Sequence, residues 1–270
     1  MKAPISYLFV PGNRPERFDK ALDTGAGAIV LDLEDAVQPA DKAGARDAIA
    51  NWAPTRAAEA GRIVVRINDA LSPWFDADLA LLRDLGLTQV MLPKAEWREQ
   101  IDLVRNGVVA EARILPLVET ARGVCNVDEI AASGGVQRLV FGTLDYGVDL
   151  DLSGDPLGLI YAASRIAIAS RCADLASPVA GVTPGLDDEA QLRADFAFAR
   201  AFGFGAKLCL HPKQVAAVHA AFRPAAEEVD WARRVLAAAA AAEGATQLDG
   251  RMIDRPVVLK AQAVLERSSL

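Results

Sequence analysis

Two carboxylates follow consecutive apolar segments and have the residue type and spacing of a divalent-cation site. Glu119 ends the run Ile114-Leu115-Pro116-Leu117-Val118, and Asp145 comes shortly after Leu139-Val140-Phe141-Gly142. Each run predicts a buried parallel strand, and the carboxyl ends of parallel strands lie on one face of a sheet or barrel. Oxygen ligands converging there favour a hard cation such as Mg²⁺, which takes one or two protein carboxylates. We therefore predict Mg²⁺ bound by Glu119 and Asp145; the alternative is that either acid only caps the next helix.

Basic side chains at the ends of two earlier apolar runs are candidates for binding an anionic substrate. Arg66 follows Ile63-Val64-Val65, where a charge needs an anionic partner. Because a guanidinium can donate two parallel hydrogen bonds to a carboxylate, we predict that Arg66 binds a substrate carboxylate, with an internal salt bridge as the alternative. Lys94, after Leu92-Pro93, is a candidate for a second substrate contact; the alternatives are a Schiff-base lysine and, favoured by the nearby acids, a lysine that balances their charge.

An acidic turn and a glycine-containing loop complete the candidate site. Asp32, Glu34 and Asp35 follow a strand-like run. We predict that Glu34 and Asp35 accept hydrogen bonds from water on the metal or orient basic neighbours, and the alternative is a solvated turn at a helix start. Arg14, in the loop Pro11-Gly12-Asn13-Arg14, suits a phosphate or a pantetheine chain.

These residues need a fold that places strand ends together, and the pattern of the chain predicts one. Apolar runs alternate with amphipathic helical stretches, which indicates eight β/α units and a TIM-type (β/α)8 barrel. An open doubly wound sheet is the alternative, but the first strand lacks its glycine-rich turn. We predict a barrel domain over 1–222 and a C-terminal helical extension over 223–270, which includes a long helix over 225–242. The predicted strands, of which the seventh is weakest, are 5–10, 28–31, 63–67, 89–92, 114–118, 138–141, 177–179 and 206–210.

Composition excludes several classes of function. The 270 residues are 52% hydrophobic and 24% charged, with a formal net charge of -7, which fits a compact soluble protein and argues against nucleic-acid binding. The N-terminus lacks the charged and apolar regions of a signal peptide, and no apolar run is long enough for a membrane span, so we predict a cytoplasmic protein. Three scattered cysteines and two histidines fit neither a disulfide framework nor a zinc site.

Taken in order, short segments along nearly the whole chain resemble the citrate lyase β-subunit-like family of the wider HpcH/HpaI aldolase/citrate lyase superfamily. The chain departs from relatives around the seventh strand, with Ala180-Gly181-Val182-Thr183 where an Asp is common, and at Leu144, where many relatives have an acid. The matching segments are Ser6-Tyr7-Leu8-Phe9-Val10-Pro11-Gly12, Leu31-Asp32-Leu33-Glu34-Asp35-Ala36-Val37, Val65-Arg66-Ile67-Asn68, Leu92-Pro93-Lys94, Val118-Glu119-Thr120-Ala121-Arg122-Gly123, Phe141-Gly142-Thr143-Leu144-Asp145, Gly203-Phe204-Gly205-Ala206-Lys207 with His211-Pro212-Lys213-Gln214, and Gly250-Arg251-Met252-Ile253-Asp254-Arg255-Pro256.

The resemblance implies a Mg²⁺-dependent TIM barrel that cleaves or forms a carbon–carbon bond in a CoA thioester such as citryl-CoA or malyl-CoA, and that assembles as a homotrimer or a dimer of trimers. It implies that Glu119 and Asp145 bind the metal and that Arg66 contacts the oxoacid carboxylate. It also implies that Asp254 acts as an acid or base in the site of a neighbouring subunit, with Asp35 a weaker candidate. The alternatives are a metal-dependent aldolase of free hydroxy-oxoacids, hydrolysis of the thioester after condensation, and a non-catalytic subunit that binds a thioester or metabolite.

Overall fold

Eight parallel strands close into a barrel in the computed structural model, which describes residues 3–241 and 246–268. The strands follow one another around the barrel in chain order, and β1 pairs with both β2 and β8. The predicted TIM-type (β/α)8 fold is therefore confirmed, including the weak seventh strand, which has only two residues. The strands are β1 (Ser6–Pro11), β2 (Ala28–Asp32), β3 (Ile63–Arg66), β4 (Gln89–Leu92), β5 (Arg113–Val118), β6 (Val140–Phe141), β7 (Val179–Ala180) and β8 (Ala206–Cys209).

Helices follow the strands where the sequence predicted amphipathic stretches. A 3-10 turn over Pro156–Leu159, capped by the Asp155 carboxylate, precedes the helix Ile160–Cys172. None of the helices among the described residues combines the length and apolarity needed to cross a bilayer. The helices are α1 (Phe18–Leu22), α2 (Lys42–Trp52), α3 (Phe75–Leu85), α4 (Arg98–Gly107), α5 (Ala121–Cys125), α6 (Val127–Ala131), α7 (Thr143–Asp149), α8 (Ile160–Cys172), α9 (Glu189–Ala201), α10 (Pro212–Phe222), α11 (Ala226–Ala241) and α12 (Arg255–Ser268).

The barrel interior is filled by alternate side chains of the strands. In β8, for example, Ala206 and Leu208 belong to this core, so Lys207 between them points away from it, as the two-residue period of a strand requires. The apolar core of the barrel stops at the carboxyl ends of the strands, where polar side chains lie instead. The core residues are Tyr7, Ala28, Val30, Val64, Met91, Leu115, Leu117, Val140, Val179, Ala206 and Leu208.

The chain divides into two compact units, Met1–Val218 and His219–Leu270. In the second unit, α11 and α12 share an apolar core with a hairpin of β9 (Thr246–Leu248) and β10 (Arg251–Ile253). The sequence analysis did not predict this hairpin. Asp249 and Gly250 form its two-residue turn with φ of 50° and 73°, the left-handed conformation that an Asp-Gly pair favours. The predicted helix over 225–242 is α11, and its predicted last residue, Ala242, lies outside the described residues.

Candidate metal and substrate site

Glu119 lies directly after β5 and is only 3% exposed. Burial raises the pKa of its carboxyl to about 8, and the negative charges of Asp145 and Glu34 add to this, while a hydrogen bond from the Lys94 backbone N–H and the charge of Arg66 oppose it. That backbone N–H donates to Oε1 over 2.8 Å. A buried carboxylate with a raised pKa binds a cation favourably, since the cation replaces the missing solvation of the charged form.

Gly142, at the end of β6, makes room for Glu119. A Cβ atom on Gly142 would lie 2.5 Å from Glu119 Oε2 and 2.6 Å from Glu119 Cβ, much closer than van der Waals contact. The φ of Gly142 is -86°, so the backbone conformation does not itself require glycine. Glycine is needed here because the Glu119 side chain packs against the backbone at the start of α7. The sequence analysis did not identify this position.

Asp145 lies in the first turn of α7 and is exposed. Its charge is close enough to raise the pKa of Glu119. One turn later, the Asp149 carboxylate accepts a hydrogen bond of 2.7 Å from the Ala121 backbone N–H, at the start of α5. The helix that carries Asp145 is therefore fastened to the turn that follows Glu119.

The donor set fits Mg²⁺ better than zinc. The described part of the chain contains no cluster of three or more His, Cys, Asp or Glu side chains placed to hold a metal ion. A two-carboxylate site suits Mg²⁺, which keeps several water ligands, whereas zinc sites use three or four protein ligands, mostly His and Cys. The buried carboxylate of Glu119 and the nearby charge of Asp145 are the candidates for such a site.

Arg66, at the end of β3, forms the internal salt bridge that the sequence analysis gave as an alternative. Its Nε and Nη2 donate to the two carboxylate oxygens of Asp32, both over 2.7 Å. Asp32 and Arg66 are paired residues in the register of β2 and β3, so the strands themselves bring them together. The guanidinium also lies 4.8 Å from the centre of the Phe9 ring.

Glu34 joins Arg66 to Lys94. It is 5% exposed; its Oε1 accepts a hydrogen bond from Lys94 Nζ, and its Oε2 lies 2.7 Å from Arg66 Nη1. The second contact is an ion pair, and no described residue donates a hydrogen bond to Oε2. Burial raises the pKa of Glu34, against the opposing charges of Arg66 and Lys94.

Lys94 contacts both carboxylates, with its backbone N–H on Glu119 and its side chain on Glu34. Its φ of 48° is uncommon for a residue other than glycine and costs about 1 kcal/mol or more. Burial lowers the pKa of Lys94, but the bond to Glu34 and the charges of Glu34, Asp35 and Glu119 outweigh it, so the pKa is raised. A Schiff-base lysine needs the opposite shift, so this environment favours a charged lysine that balances acids.

The other candidates lie further from this cluster or in the other unit. Asp35 is exposed and its carboxylate lies 4.0 Å from Arg66 Nη1. Arg14, beyond β1, is exposed and pairs with Glu16 over 2.7 Å. Asp254 belongs to the C-terminal unit, where its carboxylate accepts a hydrogen bond of 3.2 Å from the Val257 N–H at the start of α12.

A cavity of about 860 Å³ lies beside the barrel between α7, α8 and α9, and Glu119 is not on its wall. Lys207 lines it, with Nζ donating to the Gly181 carbonyl over 2.7 Å. Burial lowers the pKa of Lys207 to about 8. The segment Ala180-Gly181-Val182, which departs from the family pattern, forms part of the wall, and the remaining wall is mainly apolar. Neither Glu119 nor Asp145, the two candidate metal ligands, lines this cavity.

The fold and the polar strand ends define a (β/α)8 barrel with its candidate site at the carboxyl ends of the strands, where barrel enzymes carry their sites. The family model for HpcH/HpaI aldolase/citrate lyase matches residues 6–212, and the chain belongs to this family. The chain is similar to the citrate lyase subunit beta-like protein of Deinococcus radiodurans, with 36% identity over 98% of this chain and 97% of the relative. The resemblance stated from the sequence is thus confirmed.

Two further relatives are informative. A crystal structure of the protein CitE from Mycobacterium tuberculosis, in complex with magnesium, acetoacetate and coenzyme A, superposes with a TM-score of 0.88 at 34% identity and covers 99% of both chains. The (3S)-malyl-CoA thioesterase of Cereibacter sphaeroides is 29% identical over 97% of this chain and 94% of the relative. The first relative is thus a protein solved with a metal and a CoA molecule, and the second is named for the hydrolysis of a CoA thioester.

Proposed function

We propose that the protein is a Mg²⁺-dependent carbon–carbon lyase, or the reverse condensing enzyme, that acts on a CoA thioester such as citryl-CoA or malyl-CoA and yields acetyl-CoA and an oxoacid. The observation that carries this proposal is the buried Glu119 carboxylate, whose raised pKa and proximity to Asp145 create a demand for a cation at the mouth of the barrel. Membership of an aldolase and lyase family, and a relative solved with magnesium and coenzyme A, support it.

In this proposal, Glu119 and Asp145 hold the metal. When bound, Mg²⁺ supplies positive charge that stabilises the oxygen of the oxoacid on which negative charge develops. Lys94 keeps the Glu119 carboxylate in place through its backbone N–H. The Asp149 bond to Ala121 keeps α7, and therefore Asp145, beside it.

Arg66 is the proposed contact for the oxoacid carboxylate. A guanidinium has five N–H bonds, and Asp32 accepts only two of those of Arg66, so donors remain for a substrate. Lys94 adds a second positive charge on the same side, although Glu34 already accepts from its Nζ. The exposed Arg14 is proposed to meet the phosphate or pantetheine part of CoA.

Cleavage needs a base for the substrate hydroxyl proton and an acid for the acetyl-thioester enolate that forms when the bond breaks. Asp254 of a neighbouring subunit in a homotrimer or dimer of trimers is the proposed acid and base. Asp35 is the weaker candidate. Glu34 is proposed to accept a hydrogen bond through Oε2, which has no donor from the described residues.

The test compares Glu119→Gln and Asp145→Asn with the control Glu111→Gln. Glu111 is exposed and precedes the amino end of β5, whereas Glu119 follows its carboxyl end. Magnesium binding is measured by calorimetry. Carbon–carbon bond cleavage is measured with citryl-, malyl- and methylmalyl-CoA as substrates. We expect both site variants to lose most metal affinity and activity and the control to keep both. Full metal affinity and cleavage in either site variant would refute the assignment. Turnover by the purified chain would exclude a purely non-catalytic subunit.

Hydrolysis of the thioester is the second candidate, favoured by the relative named as a malyl-CoA thioesterase. Both reactions can use the same metal and Arg66. Product analysis separates them, because cleavage yields acetyl-CoA and an oxoacid whereas hydrolysis yields free CoA and a hydroxy acid. A metal-dependent aldolase would instead turn over free hydroxy-oxoacids and would not bind acetyl-CoA in a thermal-shift titration.

A further inference from the structure

Lys42 is a buried lysine outside the predicted site. It occupies the first turn of α2 and is only 5% exposed. Both features are unfavourable, because the positive end of the helix dipole repels a cation and burial removes its hydration. Burial accordingly lowers the pKa of Lys42, against the opposing charges of Asp32, Glu34, Asp78 and Asp35. Interactions within the fold must offset this cost.

Those interactions are three hydrogen bonds, one for each N–H of the ammonium group. Nζ donates to the Leu33 carbonyl over 2.6 Å, to the Glu34 carbonyl over 2.7 Å and to Asn68 Oδ1 over 2.7 Å. It also lies 5.1 Å from the centre of the Trp74 ring. Since all three donors are used within the protein, Lys42 has no N–H left for a substrate.

Asn68, the third acceptor, is itself fixed. Its backbone N–H and Nδ2 both donate to Asp78 Oδ2, over 2.8 and 2.6 Å. The other oxygen of this fully buried carboxylate accepts from Arg46 Nη1 over 2.9 Å. A continuous network therefore runs from α3 and the end of β3 through Asn68 to Lys42 and the turn after β2.

The two carbonyls held by Lys42 belong to the turn that carries Glu34. The amides of that turn are bonded as well: Leu33 N–H donates to the Arg66 carbonyl, and the Glu34 and Ala36 N–H groups donate to the Asp32 carboxylate. The Glu34 carboxylate in turn contacts both Arg66 and Lys94. Moving this turn would move a carboxylate that two cations share.

We propose that Lys42 is a positioning residue that holds the turn after β2, so that the Glu34 carboxylate stays between Arg66 and Lys94 in the reacting complex. This inference rests on the proposed function of the site. Lys42 acts through the backbone and touches neither substrate nor metal. Its loss displaces Glu34 and disturbs the two cations without removing any group from the site.

The test compares Lys42→Met, which keeps the length of the side chain and removes its charge and donors, with Ile49→Val in the same helix. Ile49 is fully buried, so this control also lowers stability but leaves the turn bonded. Amide hydrogen exchange over 33–37 and steady-state kinetics are measured for both variants at temperatures well below their midpoints of unfolding. The exchange measurement does not depend on the activity.

In Lys42→Met we expect exchange of the turn amides to be about tenfold faster and kcat to fall by about tenfold or more. The KM for the thioester should stay within about threefold, because the CoA contacts are untouched. Ile49→Val should change neither the exchange of the turn nor kcat. Unchanged exchange or unchanged kcat in Lys42→Met would overturn the proposal. If the wild-type protein turns over no thioester, the proposed function fails, and exchange alone then decides whether Lys42 holds the turn.

Discussion

The contact between Gly142 and Glu119 gives a sharp prediction about the metal site. In Gly142→Ala, the added methyl group would lie 2.5 Å from Glu119 Oε2 and 2.6 Å from Glu119 Cβ. Rotation of the carboxylate can relieve the first contact but not the second, because Cβ is fixed by the backbone. The chain after β5 or the start of α7 must therefore move, and such overpacking costs about 1 to 3 kcal/mol. Since Mg²⁺ demands near-ideal geometry, we expect its affinity to fall by about tenfold or more.

The matched control is Gly147→Ala in α7, the helix that follows Gly142. A Cβ on Gly147 meets nothing within 4 Å, and alanine is favoured over glycine inside a helix by about 0.5 to 1 kcal/mol. The two identical substitutions should thus have opposite effects on stability. Magnesium titration by calorimetry and thermal unfolding measure both quantities. Wild-type magnesium affinity in Gly142→Ala, or equal shifts in the two variants, would refute the packing argument.

Two further predictions concern the buried Lys207 and the hydrogen bond between α7 and the start of α5. Lys207→Met should change the pH dependence of stability. In the wild-type protein the pKa of Lys207 is about 8 in the folded state and about 10.4 in the unfolded state, so between these pH values only the unfolded state keeps the proton. The free energy of unfolding of the wild-type protein, relative to the variant, should therefore rise by up to about 3 kcal/mol from about pH 8 to about pH 10.4. Urea unfolding at about pH 7.5 and 10 measures this, and a difference independent of pH would contradict it. Asp149→Ala removes the acceptor for the Ala121 N–H and should weaken magnesium binding several-fold. Asp149→Asn keeps an acceptor oxygen and should retain most of the magnesium affinity. Equal magnesium affinities in the two variants would exclude the hydrogen bond to Ala121 as the cause.

The barrel and the positions of the polar strand ends could be predicted because both depend on local patterns. Apolar runs of three to six residues define the predicted strands, and parallel strands must present their carboxyl ends together. The partner of Arg66 could not be chosen this way. The local sequence is the same whether Arg66 forms an internal salt bridge or binds a substrate carboxylate. Only the register of β2 with β3 pairs Arg66 with Asp32.

Other features were missed for two different reasons. The contacts of Gly142 and Lys42 are long-range, since Gly142 meets a side chain from the preceding strand and Lys42 binds Asn68, 26 residues away. No local pattern reports them. The hairpin of β9 and β10 had a local signal in Asp249-Gly250, which is typical of a two-residue turn, but the short polar strands beside it lack a strong apolar alternation.

The distribution of charge at the mouth of the barrel supports the proposal that the metal binds at Glu119. Asp32 is matched by two hydrogen bonds from Arg66, and Glu34 by the Lys94 ammonium and the ion pair with Arg66. Glu119 is equally buried, but among the described residues it accepts a hydrogen bond only from the Lys94 backbone N–H. Burial raises the pKa of Glu119, and the charges of Asp145 and Glu34 raise it further. Arg66 and Lys94 are thus paired with Asp32, at the end of β2, and with Glu34, in the turn that follows, and in our proposal Glu119 binds a cation that enters from solution.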